Sequence, residues 1–477
     1  MSASDYIPVE GASEAQNMLL NQIAEKFHVS EEHLLEVANE VYEYIVNGLK
    51  TDDTESQPRS LPCRVSYIKS GISQDIRDAE AEEALALGMT INTSTERFKI
   101  ASVKFVSGKP DAINKQIFYM PQGVTSPSQL FSEAATHIAQ FINTHHLDMT
   151  VCSYQRPLCL GVTIDLPLEE NSKAGGRVVC NSLACKGMFG NVDIASSINS
   201  ELVKQHLPVK VTATTNCVIS TMVAAQRHFQ QTCVALILNH GINASYYEKA
   251  ANIPKIKDTE LGESSALVAI NTELARFGEN SGVLRPTMWD HRIDRESANT
   301  GRHVFEKLVA DKYLGEIVRN LITDFMDARL IFPKDADVTM FSQSYSFFTS
   351  YMTIMEDNSS DLSEVGNLLK AGFNVNASLV DRQIVRALCK IVAMRAAKMV
   401  SAAVAGIIRR ATDAMDSPEP AFISISGQLT EMNQPYVHCT IETAQSLVQK
   451  LGLPEPVFNV LGEDGYTVGA ALSSLSK

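Results

Sequence analysis

The stretch Val211–Thr221, VTATTNCVIST, constrains this chain more than any other. Its β-branched run, Val211, Thr212, Thr214 and Thr215, favours extended backbone, because side chains doubled at Cβ suit a pleated surface. At Asn216-Cys217 the pattern breaks, and the following TMVAAQRHF reads as helix. The fold must therefore carry a strand that delivers a polar tip to the start of a helix. Such tips are common mounts for chemistry. Here the tip presents an amide and a thiol.

Composition narrows the field. With 477 residues the chain outgrows one ordinary core, and a 45% hydrophobic content fills two or more domains. A formal charge of −14 argues against a broad surface for nucleic acid, and the longest basic cluster is only Arg409-Arg410. The opening MSASDYIPVEG has neither a basic start nor an apolar run, so no secretory signal is expected. Met399–Ile408, the most apolar helical segment, lies between Lys398 and Arg409 and is too short to span a bilayer. Nine cysteines without a C-x-x-C pair, Cys180 and Cys185 being nearest, read as reduced thiols rather than disulfides or a metal site. The expectation is an intracellular protein, nuclear or cytoplasmic, with no membrane, no direct nucleic-acid partner and no metal.

Along the chain, residues 1–18 read as a polar tail. Ser30 caps a helix whose apolar positions Leu34, Val37, Ala38, Val41, Ile45 and Leu49 recur at helical spacing. Residues 51–60 form a polar break. Strands are predicted over 83–107, at Cys159–Pro167 (CLGVTIDLP), at Val234–Leu238 and at Phe422–Gly427 (FISISG). The C-terminal third is expected to be helical as far as Arg410, where small residues at Ala396, Ala397, Ala402, Ala403 and Ala405 allow close packing. No P-loop, zincin motif or G-x-S-x-G elbow is present.

Several stretches, in order, resemble the hexokinase family. Ala184–Met188 is similar to Trp-Thr-Lys-Gly-Phe, and Asn243-Ala244-Ser245-Tyr246-Tyr247-Glu248 with Ile253-Pro254-Lys255 to Asn-Ala-x-Tyr-Tyr-Glu and Ile-Pro-Lys. VAINTELARFG (Val268–Gly278), Ile293–Gly301, Phe305-Glu306-Lys307, Tyr313–Glu316 and Gly462–Leu472 continue the series. The resemblance spans roughly 19–477. It implies an α/β, two-lobed actin-like ATPase and hexokinase (ribonuclease H-like) fold, each lobe a five-stranded mixed sheet beside a central cleft. The implied division gives 19–82 and 219–462 to a large lobe, and 83–218 and 463–477 to a small one. Lys186, Asn216, Asn243, Glu273 and Glu306 fall on sugar-binding positions, and Gly241 and Gly427 are remnants of the phosphate loops.

The departures cluster. In the family's Leu-Val-Asn-Asp-Thr-Val-Gly-Thr the Asp is the general base, and Cys217 stands there. Over the glycine-bearing phosphate hairpin lies Asn92–Arg97, with Glu96 and no glycine, Gly88 being the nearest. His240 replaces a loop Thr, Gln428 a Ser, and Asp165, Cys185 and His303 replace sugar contacts. A thiol of ordinary pKa ~8.5 is a poor base at neutral pH. These exchanges resemble the atypical, non-catalytic hexokinase-like regulators of filamentous fungi. The expectation is a pseudoenzyme in carbon-source or starvation responses, with a regulatory protein partner, weak hexose binding and no cofactor. The alternative is an ATP-dependent hexose or N-acetylglucosamine kinase using Mg-ATP.

Overall fold

Two mixed β-sheets, each built on the same plan, organise the computed structural model, which describes residues 8–52, 59–70, 84–106, 109–124, 126–180, 185, 187, 189–190, 192–333, 339–355, 359–416, 419–462 and 465–475. The strands in chain order are β1 (Arg64–Lys69), β2 (Leu85–Asn92), β3 (Arg97–Val106), β4 (Lys109–Tyr119), β5 (Leu158–Ile164), β6 (Leu168–Glu170), β7 (Gly176–Val178), β8 (Val209–Asn216), β9 (Thr232–Leu238), β10 (Ile242–Lys249), β11 (Leu267–Asn271), β12 (Phe422–Ser426) and β13 (Val457–Val460). One sheet runs β4-β3-β2-β5-β8, the other β1-β11-β10-β9-β12-β13, and β6-β7 form a small ribbon. In both sheets an antiparallel meander (β2-β3-β4, β9-β10-β11) is extended from its first strand by two parallel strands (β5 and β8, β12 and β13). The second sheet has six strands rather than five, because β1 adds an antiparallel edge to β11.

Composition explains the placement of these strands. All seven residues of β9 are buried, as a strand covered on both faces requires. Large apolar clusters fill each lobe, and a third lies between the sheets, where Ile219, Met222 and Val223 meet Ala235, Ala269, Val468 and Leu472. The helices Cys217–His228 and Gly465–Leu475 supply that middle layer. Three glycines make it possible. A Cβ on Gly88 would lie 2.0 Å from the Thr467 carbonyl, on Gly161 1.7 Å from that of Ala470, and on Gly469 1.8 Å from that of Ser220. Gly88 is thus a packing residue in mid-strand, not a substitute for the missing loop glycines.

The helix Leu379–Met415 runs 37 residues, five beyond the expected end at Arg410, and opens on a capping box between Ser378 and Asp381. A Cβ on its Gly406 would meet the Ala38 carbonyl at 2.3 Å, so small residues let the helix Glu31–Gly48 cross it closely. That earlier helix starts where its Ser30 cap predicts, with Ser30 Oγ accepting from His33 N at 3.2 Å. Leu379–Met415 is long and apolar enough to cross a membrane, unlike the short segment expected, yet 78% of its most apolar window is buried in the protein.

Candidate active site

Each five-strand module offers a turn after its first strand and the ends of its two parallel strands. In the first module the turn is Asn92–Arg97. Asn92 Oδ1 accepts from Thr95 N at 2.9 Å, and Glu96 takes the left-handed backbone (φ 52°) that a glycine would favour. Beside the turn, at the end of β5, Asp165 Oδ1 accepts from Thr93 N (2.9 Å) and Thr93 Oγ1 (2.8 Å), and Oδ2 from Ser94 N (3.0 Å) and Ser94 Oγ (2.8 Å). Asp165, expected as a lost sugar contact, is a clasp on this turn.

At the end of β8, Asn216 caps the next helix, its Oδ1 accepting from Val218 N at 3.0 Å while its Nδ2 donates to the Leu166 carbonyl at 2.9 Å. Cys217 begins that helix, and burial, then the Asp165 charge, hold its thiol far above the ordinary range. Thr221, the last matched Thr, donates to the Cys217 carbonyl at 2.9 Å.

The second module repeats the plan. Its turn, Asn239-His240-Gly241, closes through Asn239 N and the Gly241 carbonyl at 2.9 Å, and Asn239 Oδ1 accepts from Gln428 N at 2.7 Å. Gly427 sits at φ 124°, where a Cβ would strike the Leu238 carbonyl at 2.2 Å. His240 Nδ1 meets Asp311 Oδ2 at 2.9 Å, and this bond raises the imidazole pKa against the opposing effects of burial and Lys312. The replacement of Thr by His thus brings to the loop a ring nitrogen bonded to a carboxylate rather than only bulk. Under Gly241 lies Glu306, whose Oε2 would be 2.6 Å from a Cβ there.

The polar cluster beside this turn is tightly wired. Asn243 Nδ2 donates to Asn271 Oδ1 at 2.9 Å, and Asn271 Nδ2 to Glu273 Oε1 at 2.7 Å. Glu273 is buried in a left-handed backbone, and desolvation raises its pKa while Asn271, Arg64, His303 and Arg276 oppose the rise. His303 Nδ1 stands 3.6 Å from Glu306 Oε1, linking the second carboxylate to the first. Arg64, paired with Asn271 across β1 and β11, has a buried Nε with no hydrogen-bond partner.

Asn243, Glu273 and Glu306 are therefore brought together, with Gly241 above them; Asn216 and Cys217 belong to the other sheet's strand ends, and Gly427 to the second module. Lys186 lies outside the described residues, and Cys185 is half-buried. Sequence reasoning missed two members. Asn271 sat unmarked inside the Val268–Gly278 match, two residues before Glu273 and thus on the same face of the chain. Arg64 carries no local signal, because only long-range pairing of β1 brings it to the cluster. Among the described residues no group of three or more His, Cys, Asp or Glu side chains is placed to hold a metal ion.

Twin mixed sheets, with a hydrogen-bonded Asn-Asn-Glu cluster beside a polar turn, define a two-lobed α/β protein. Two family models, both described as hexokinase, match residues 19–227 and 233–476. The chain belongs to the hexokinase family. It is 30% identical over 474 residues to Hexokinase-9 of Oryza sativa subsp. japonica, covering 97% of this chain and 90% of that one. It is 28% identical over 354 residues to the hexokinase of Kluyveromyces lactis, covering 72% and 70%. Its fold matches the Schistosoma mansoni hexokinase complexed with glucose at a TM-score of 0.78 and 23% identity, over 96% of this chain and 99% of that chain.

These likenesses overturn the expectation of a pseudoenzyme. That expectation rested on single exchanges at Cys217, Glu96 and His240, whereas relatives named as hexokinases match at about 30% over nearly the whole chain. The chain is read as an enzyme.

Proposed function

We propose that the protein transfers a phosphoryl group from Mg-ATP to a hexose or an amino sugar such as N-acetylglucosamine. The observation that carries this reading is the hydrogen-bonded Asn243–Asn271–Glu273 chain next to Glu306, with Asn271 and Glu273 buried and Asn243 half-buried. Its donors and acceptors are already oriented by one another, which is what discrimination of sugar hydroxyls requires, since a ligand lacking them leaves buried polar groups unpaired. The His240–Asp311 pair supports the same reading, because the bond to Asp311 raises the imidazole pKa and so favours the charged form that attracts phosphate. Regulation of carbon-source responses through a protein partner is a second reading, carried beside turnover. The grip of Asp165 on the Thr93-Ser94 turn favours it, since nucleotide binding would then be conditional.

The test is ADP release by pure protein with Mg-ATP and a panel of hexoses and amino sugars. Sugar-dependent ADP release is expected with at least one of them, and Glu273→Gln should raise the KM for that sugar ~10-fold or more, as loss of a charged hydrogen-bond partner does. No sugar-dependent release across the panel would overturn the proposal.

A further inference from the structure

Phosphorylating a hydroxyl requires a group to take its proton, and the thiol at Cys217 is badly placed chemically to do so. Burial and the neighbouring carboxylate keep it protonated at neutral pH. That neighbour is Asp165. β5 and β8 run parallel with Ile164 paired to Asn216, so Asp165 and Cys217 are the residues that follow the same rung of the ladder. Adjacent strands lie about 5 Å apart, so Asp165 and Cys217 are neighbours at the strand ends, near enough for the Asp165 charge to act on the thiol.

In this structure the Asp165 carboxylate is fully engaged. Its four hydrogen bonds, at 2.8 to 3.0 Å, all come from Thr93 and Ser94, and use the lone-pair directions of both oxygens. Two of the donors are consecutive backbone N–H groups. Successive N–H groups in a turn form an anion-binding concavity of the kind that receives phosphate. An internal anion already fills it. A phosphate carries more charge than a carboxylate and competes for the same donors.

We propose that Asp165, rather than Cys217, takes the proton from the attacking sugar hydroxyl, and that Thr93 and Ser94 hold its carboxylate in store until nucleotide phosphate claims their N–H groups. The proposal rests on the kinase reading. In the step, the sugar oxygen forms a bond to the γ-phosphorus, and the bond from that phosphorus to the bridging oxygen breaks with its electron pair leaving on ADP. The hydroxyl proton passes to an Asp165 carboxylate oxygen and returns to solvent after the products leave. Lys99, buried with its Nζ 3.2 Å from Tyr466 Oη, is a cation near the thiol.

The test compares steady-state kinetics of the full chain and three variants with Mg-ATP and the preferred sugar. Asp165→Asn should lower kcat by ~10²–10⁴-fold, the usual contribution of a general base, without raising the KM for ATP, because the competitor for the turn is weakened. Adding Cys217→Asp to Asp165→Asn should recover kcat by ~10-fold or more, since a carboxylate is restored one strand away. Asp165→Ser, which keeps a small hydroxyl beside the turn, is read by the same criteria if Asp165→Asn does not fold. A loss in which kcat and ATP affinity fall together, with no recovery from Cys217→Asp, would make Asp165 a structural clasp and overturn the proposal. So would wild-type kcat in both Asp165 variants. If the wild type itself shows no sugar-dependent turnover, the kinase reading fails and this proposal with it.

Discussion

Glu170 is a carboxyl held far from its free state. It lies at the end of β6, and its Oε2 accepts from Ser66 Oγ and Tyr67 N of β1, each at 2.8 Å, tying the ribbon to the six-stranded sheet. Burial pushes its carboxyl from 4.5 up to about 8, against the two hydrogen bonds that favour the ionised form. Between those values the unfolded chain is ionised at this site while the folded chain is not. Stability from this residue is therefore full at pH below about 4.5 and is lost as pH rises, levelling off above about 8. Glu170→Gln should flatten the fall of Tm expected of the wild type between roughly pH 5 and 8; equal slopes in the two proteins would count against this. At the residue scale the sequence was legible where one stretch carried both position and chemistry, as with Asn243, Glu273 and Glu306. It was illegible where a side chain's partner lies far along the chain. Asp165 looked like a lost sugar contact because its Thr93 and Ser94 partners are some seventy residues away, and His240 looked merely bulky because its partner Asp311 is likewise some seventy residues away.

At the scale of elements, the strand–turn–helix at Val211–Thr221 formed as its β-branched run requires, β8 ending at Asn216 and the helix beginning at Cys217. The C-terminal helix, with its small residues, was legible through the family resemblance at Gly462–Leu472. What periodicity could not give was the reason for them: Ala470 and Gly469 let the helix press onto Gly161 and Ser220 almost backbone to backbone. Gly161→Ala should therefore cost roughly 1–3 kcal/mol or more, as overpacking a rigid contact does, and denaturant unfolding would measure it. A loss under about 0.5 kcal/mol, typical of surface sites, would show that the helix yields. β1 was invisible as a sheet member, since its edge position follows from pairing with β11, two hundred residues later.

Across the whole molecule, the repeated plan of the two sheets was not legible at all. Equivalent strands share backbone positions and burial, not residue types, so no sequence repeat records them. The family resemblance nevertheless gave the fold, because motifs spread over the chain each recur in order. Its error was to read exchanges at Cys217, Glu96 and His240 as a loss of activity, against relatives named as hexokinases at about 30% identity over nearly the whole chain. The central claim is that this chain phosphorylates a sugar, and a single-turnover experiment tests it most directly. Excess protein would be mixed with ATP labelled at the γ-phosphate and the preferred sugar, and the products separated. The account predicts label on the sugar with the wild type and much slower transfer with Glu273→Gln at the same sugar concentration; label that stays on ATP, or appears only as inorganic phosphate, would contradict it.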